Sequence, residues 1–228
     1  MLPPPQAHYA LRVLRLKAGD AVVLFNGDGY EYAAVISEAG RDRVALEITG
    51  RAERDRESSL AITLAQAVSS GERMDYTVQK AVELGVARIQ PLIAERSVVR
   101  LQGERATKRA EHWQAVVVAS CEQCGRNRLP PVLPLLSLDA YLAGEAARCD
   151  GALRLLLSPS SVRRLRDLDR PTGPAVLLAG PEGGFSPHEE RAAEQAGFLS
   201  ARLGPRVLRT ETAAVAALAA MQAWWGDF

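Results

Sequence analysis

The sequence predicts an α/β protein: a parallel sheet covered by helices, preceded by a small β domain. Three observations predict it. From about residue 58 onward, short apolar runs alternate with helical patterns, as they do when successive strands run in one direction. Before that, short strand-like runs are separated by strong turn signals. Finally, two loops, Gly180-Pro181-Glu182-Gly183-Gly184 and Leu203-Gly204-Pro205-Arg206-Val207-Leu208, fall where strand ends meet helix starts. That is the usual ligand position in an α/β sheet. A chain of 228 residues has room for two domains, expected at 1–57 and 58–228.

The first strands are justified by their punctuation. Lys17-Ala18-Gly19-Asp20 turns into an apolar run at 21–25. Asn26-Gly27-Asp28-Gly29 separates that run from 32–37, and Glu38-Ala39-Gly40-Arg41-Asp42 separates the second run from 44–49. Asn-Gly and Asp-Gly pairs tolerate the positive φ of tight hairpins. Pro3-Pro4-Pro5 reads as an extended lead-in, and the charged stretch 51–57 as a polar linker. Next come a strand at 60–68, a helix at 73–84, a strand at 89–93, a longer helix at 104–122, and strands at 153–157 and 176–178. Ser186-Pro187-His188-Glu189 is a capping box with proline at the first helical position, so a helix starts there. Gly197 stops it and 198–203 returns as a strand. The last helix spans 210–225, where Ala213, Ala214, Ala216, Ala217, Ala219 and Ala220 leave little bulk. Having no polar face, it is expected to be buried on most sides, inside the fold or at a dimer interface.

Composition excludes several classes. With 47% hydrophobic residues but no apolar run near the ~20 residues of a membrane span, the chain reads as soluble, without a membrane partner. No basic segment precedes an apolar core at the start, so no secretory signal is expected and the location is cytoplasmic. Cys121-x-x-Cys124 invites a metal or redox reading. Zinc wants a second pair or neighbouring histidines, yet His8, His112 and His188 are scattered, and the pair falls at the end of a helix. No metal is expected. Net charge is only +1, but from 96 to 128 seven cations (Arg96, Arg100, Arg105, Lys108, Arg109, Arg126, Arg128) meet three acids (Glu104, Glu111, Glu122). Such a stripe can hold phosphate, and the plain alternative is a solvated helix face.

Glycines at strand ends let a ligand approach the backbone, whose N–H and C=O groups then read it. A Walker loop requires Lys-Ser/Thr after its last glycine, whereas Gly184 is followed by Phe185-Ser186. Nor do Gly180, Gly183 and Gly184 have the G-x-G-x-x-G spacing of a dinucleotide fingerprint. By itself the first loop reads equally as a tight turn.

The two loops together, the second continuing as Arg209-Thr210-Glu211-Thr212-Ala213, resemble the SPOUT methyltransferases, and within them the RsmE family. Further blocks follow in the family's order. They are His8-Tyr9-Ala10-Leu11-Arg12-Val13-Leu14-Arg15, then Gly71-Glu72-Arg73-Met74-Asp75 with Gln79-Lys80-Ala81-Val82-Glu83-Leu84-Gly85-Val86. Glu95-Arg96-Ser97 and Cys121-Glu122-Gln123-Cys124-Gly125-Arg126-Asn127-Arg128 complete them. The resemblance implies a SPOUT-type parallel sheet with a deep C-terminal trefoil knot in residues 58–228, and a PUA-like RNA-binding β-barrel in 1–57. Family members carry an extra N-terminal strand and arm where this chain opens on Met1-Leu2-Pro3, so the barrel is expected to be shortened. The implied activity is S-adenosylmethionine-dependent methylation of N3 of a uridine in 16S ribosomal RNA of the small ribosomal subunit, by a homodimer. Another SPOUT RNA methylation (2′-O-ribose or guanine) and a non-catalytic RNA-binding ribosome-assembly factor are the alternatives. Intact cofactor loops argue against the last.

The residues then divide by role. The resemblance places the cofactor against Leu178, Gly180, Pro181, Glu182, Gly183, Gly184, Leu203, Gly204, Val207 and Leu208, with Thr212 and Ala213 completing the pocket. Uridine N3 is protonated at neutral pH, so the site must remove that proton or stabilise the resulting anion. Arg209, Glu211, Arg96 and Arg126 are the catalytic candidates. Glu211 also suits a helix N-terminus, and Arg96 or Arg126 also suit phosphate. RNA contact is expected from His8, Arg12, Arg15, Arg105, Lys108, Arg109 and Arg128.

Overall fold

Pro4 and Pro5 begin a helix rather than an extended lead-in: α1 spans Pro4–His8. Proline fits the first turn of a helix because its missing N–H has no intrahelical partner there. A π-turn follows at Tyr9–Val13. The protein is described here by a computed structural model covering residues 1–144 and 151–228. Its chain divides into two compact units, Met1–Arg56 with Gly125–Arg128, and Glu57–Cys124 with Leu129–Phe228.

In the first unit, β1 (Ala21–Leu24), β2 (Tyr30–Ala39) and β3 (Val44–Glu53) pair antiparallel in sequence order. Alternation sends Ala34, Ile36 and Val44 inward, and α1 and the π-turn bury Ala7 and Ala10 against Ile36 and Val44. The first three residues of the expected linker, 51–53, are strand instead. Tyr30 to Tyr32 pair with Glu53 to Arg51, and the Arg51 guanidinium lies 4.2 Å from the centre of the Tyr30 ring. That cross-strand contact favours continued pairing despite the charge of the segment. Residues 125–128 join this unit through Asn127, whose Nδ2 donates to Gly29 O (3.1 Å) and Arg54 O (2.7 Å).

The second unit holds six parallel strands in the order β6-β5-β4-β8-β7-β9. They are β4 (Ile62–Ala67), β5 (Arg88–Ile93), β6 (Leu136–Ser137), β7 (Leu153–Leu157), β8 (Ala175–Ala179) and β9 (Leu199–Ala201). Central β8 is buried along its whole length, as a strand covered on both faces must be. The helices are α2 (Glu72–Glu83), α3 (Gly103–Cys124), α4 (Leu138–Ala143), α5 (Pro187–Gln195) and α6 (Thr210–Trp225). Sequence reading missed β6 and α4, a two-residue strand running straight into a one-and-a-half-turn helix. The available signal was Ser137, whose hydroxyl caps α4 by accepting from Ala140 N.

The capping box of α5 is present in both halves. Ser186 Oγ accepts from Glu189 N (3.3 Å) and Glu189 Oε2 accepts from Ser186 N (2.8 Å). The second carboxylate oxygen of Glu189 accepts from Glu95 N at 2.7 Å, tying the helix start to the segment after β5. Helix α6 is buried along one stripe within a single copy of the chain. It buries the stripe Thr210, Ala214, Ala217, Leu218, Met221, Gln222 and Trp225, while Thr212, Ala223 and Trp224 are exposed. Gln222, fully buried, is satisfied by Leu84 O (2.9 Å) and the Ser58 hydroxyl (2.7 Å). Among the described residues, no helix is long and apolar enough to cross a membrane.

Candidate functional site

The C-terminal ends of β7, β8 and β9 lead into three loops that enclose a cleft of about 360 Å³. The first loop is 158–160, the second 180–185, and the third 202–208, which ends at the start of α6. A cleft of this size at the carboxyl edge of a parallel sheet suits a small organic ligand.

The second loop is braced by side chains from several elements. Gly184 has φ +65° and its N–H donates to Pro181 O at 2.9 Å, closing a tight turn that only glycine enters without strain. Gly180 O accepts from Thr210 Oγ1 (2.5 Å) and Gln66 Nε2 (3.2 Å), which joins this loop to the first residue of α6. Arg96 Nη1 donates to Gly183 O (3.2 Å) and Phe185 O (3.3 Å). Glu182 Oε1 accepts from Ser70 N (2.7 Å), the Ser70 hydroxyl (2.7 Å) and Arg73 Nη1 (3.0 Å). Burial raises the pKa of Glu182, but these hydrogen bonds outweigh it and bring the group down to about 2. It is a fixed anion that binds a loop, not a proton carrier.

The third loop is the opposite. Among the described residues, Leu203 to Leu208 form no backbone hydrogen bond, and all but Pro205 line the cleft. Backbone N–H and C=O groups around a cleft that are not tied to one another are available to a ligand rich in donors and acceptors. Leu203, Val207, Leu208 and Ala213 add apolar walls.

Of the expected cofactor residues, Gly180, Pro181, Glu182, Gly183, Gly184, Leu203, Gly204, Val207, Leu208 and Ala213 come together here. Leu178 and Thr212 do not. Leu178 is fully buried in β8, paired with β4 on one edge and β7 on the other, and Thr212 is exposed on α6. Arg96 lines the cleft. Arg209 is the exposed N-cap residue of α6, between two cleft residues but not lining it. Glu211 Oε1 lies 3.9 Å from Arg73 Nε, and its buried Oε2 has no hydrogen-bond partner. Arg126 is buried in the first unit and is not a cleft residue. Motif reading missed Ser158, Ser160, Glu190 and Arg202, which line the cleft, and Arg73, which binds its loop.

The basic stripe is divided between the units, with Arg126 and Arg128 in the first and the rest in the second. Arg105 is exposed, Lys108 pairs with Glu104 at 2.7 Å, and the Arg109 guanidinium lies 6.0 Å from the Trp113 ring centre. His8, Arg12 and Arg15 are exposed on the first unit. Cys121 and Cys124 are free thiols, and no described residues cluster as ligands for a metal ion.

Comparison with known proteins fits this geometry. A family model described as an RNA methyltransferase domain matches residues 56–222, and one described as an RNA methyltransferase PUA domain matches 2–49. Ribosomal RNA small subunit methyltransferase E of Buchnera aphidicola is 36% identical over 96% of this chain and 88% of its own length. The chain belongs to the ribosomal RNA small subunit methyltransferase E family. The Bacillus subtilis protein of that family is 30% identical over 95% of this chain and 86% of its own. A crystal structure of the Neisseria gonorrhoeae family member, bound to S-adenosyl methionine, superposes with a TM-score of 0.94 at 45% identity. It covers 100% of this chain and 92% of that one.

Proposed function

We propose that this protein transfers a methyl group from S-adenosylmethionine to N3 of a uridine in 16S ribosomal RNA of the small subunit. The observation that carries the reading is the unpaired backbone of Leu203 to Leu208 around the cleft, in a family whose gonococcal member holds S-adenosyl methionine. The residues fit the cofactor. Free backbone groups suit the edge of an adenine, apolar walls suit its faces, and Gly204 leaves open space where a Cβ would stand. When bound, the cofactor supplies an electrophilic methyl group on a sulfonium.

The chain's own part is to position and to manage charge. Gly180, Gly183 and Gly184, held by Thr210, Arg96 and Glu182, keep one wall of the cleft rigid before any ligand arrives. The acceptor N3 must lose a proton, and the anion then spreads onto the flanking carbonyl oxygens. Arg209 is assigned to those oxygens, since its guanidinium stays charged throughout and meets a carbonyl with a planar fork. Glu211 Oε2, buried without a partner, is the carboxylate oxygen free to take a proton nearby. We assign RNA positioning to residues 1–57 and to α3, and catalysis to 58–228, a division supported by the two family matches. We also assign 58–228 a threaded C-terminus, in which Thr210 and Gln66 hold the start of α6 and β4 to the second loop at Gly180 O. A homodimer, working in the cytoplasm where ribosomal subunits are made, completes the reading.

Three measurements on one Arg209→Ala preparation test it: calorimetric affinity for S-adenosylmethionine, melting temperature and single-turnover methylation rate. The first two should match wild type and the third should fall at least about tenfold, ~1.4 kcal/mol of transition-state stabilisation. A rate within about twofold, ~0.4 kcal/mol, removes Arg209 from the catalytic set. Wild-type protein that binds no S-adenosylmethionine overturns the reading as a whole.

A further inference from the structure

We infer that Glu190, with Ser158 and Ser160, reads the vicinal diol of a ribose in the cleft, an assignment that rests on the methyl-donor reading for its adenosyl ligand. All three line the cleft, Ser158 and Ser160 from the loop after β7 and Glu190 from the first turn of α5. Ser158 Oγ donates to Glu190 Oε1 at 2.8 Å and lies 2.8 Å from Ser160 Oγ. A hydroxyl carries a single hydrogen. Because Ser158 gives its hydrogen to the carboxylate, the hydrogen between the two serines is that of Ser160.

The relay therefore runs from Ser160 to Ser158 to Glu190, and both of its ends are acceptors. Ser160 Oγ keeps a lone pair, and Glu190 Oε2 has no partner among the described residues. Ser158 is buried, 2% exposed, so its orientation is set by the carboxylate and not by water. Two acceptors joined by a fixed relay match a ligand with two hydroxyl hydrogens on neighbouring atoms. A phosphate has no hydrogens to offer and would meet a carboxylate. The ammonium group of the methyl donor would satisfy Glu190 but has no need of the serine relay.

The test is calorimetric titration of the full-length protein with adenosine, 2′,3′-dideoxyadenosine and S-adenosylhomocysteine, in wild type and Glu190→Ala. Wild type should bind adenosine at least about tenfold more tightly than the dideoxy compound, the range of a hydrogen bond to a charged group. Glu190→Ala should bind the two alike, with its affinity for the dideoxy compound unchanged, which also shows an intact cleft. Equal binding of the two nucleosides by wild type overturns the assignment, as does a preference that survives Glu190→Ala. Weaker S-adenosylhomocysteine binding with unchanged adenosine binding in the variant assigns Glu190 to the ammonium and overturns it too. Should Glu190→Ala fail to fold, Ser160→Ala at an exposed position decides, and an undiminished preference there is again contrary. Wild type that binds neither adenosine nor S-adenosylhomocysteine removes the methyl-donor reading itself, an outcome separate from loss of the diol preference alone.

Discussion

Glu182 accepts three hydrogen bonds through one oxygen, from the Ser70 amide, the Ser70 hydroxyl and Arg73. Its folded pKa of about 2 lies below its ordinary 4.5. The stabilisation is therefore complete above about pH 4.5 and is lost as pH falls through about 2. Glu182→Gln should lower the melting temperature at neutral pH, with a gap from wild type that stays constant down to about pH 4.5 and narrows toward pH 2. A gap that holds unchanged to the acid end would show that the charge of Glu182 contributes nothing. At this scale the glycine loop was legible but its reasons were not. A Cβ at Gly183 would stand 3.0 Å from Arg96 Cβ, and one at Gly180 3.3 Å from Phe185 Cδ2. Those two glycines admit the protein's own side chains, whereas Gly184 and Gly204 face open space. Ser158 and Glu190 carry no motif, because they meet only through folding, 32 positions apart.

Helix α5 was legible from its first four residues, since a capping box is a local device that works wherever it occurs. Helix α1 was not, because a proline run suits both an extended chain and a first helical turn, and packing of Ala7 and Ala10 decides between them. Which residues of α6 form the buried stripe and which the exposed face was not legible either. Alanine is compatible with either side of a helix and gives no stripe to follow. Helix α3 carries a prediction of its own. Replacing Arg105 and Arg109 with Ala should weaken RNA binding and reduce its salt slope by about one for each phosphate no longer neutralised, leaving single-turnover methylation at saturating RNA intact. Lys108→Ala should do less, since Glu104 already pairs with that ammonium. Salt titrations of RNA affinity check both, and an unchanged slope in the double variant would place the RNA elsewhere.

At the scale of the molecule, strand–helix alternation made the parallel sheet legible, and turn signals made the antiparallel one legible. Strand order was not, because β4 gains its neighbour β8 from 113 residues away and no local pattern encodes that pairing. The exposed face of α6 includes Trp224, 48% exposed, an apolar side chain suited to contact with a second copy across a two-fold axis. Sedimentation at micromolar concentration should show a dimer, and Trp224→Glu should shift it toward monomer, whereas a monomeric wild type that still methylates RNA would refute the interface. The most direct measurement is nucleoside mass spectrometry of small-subunit ribosomal RNA after incubation with this protein and isotopically labelled S-adenosylmethionine. The expected product is labelled 3-methyluridine at a single position, and label in a ribose 2′-O-methyl group, in a guanine or in no nucleoside would contradict it.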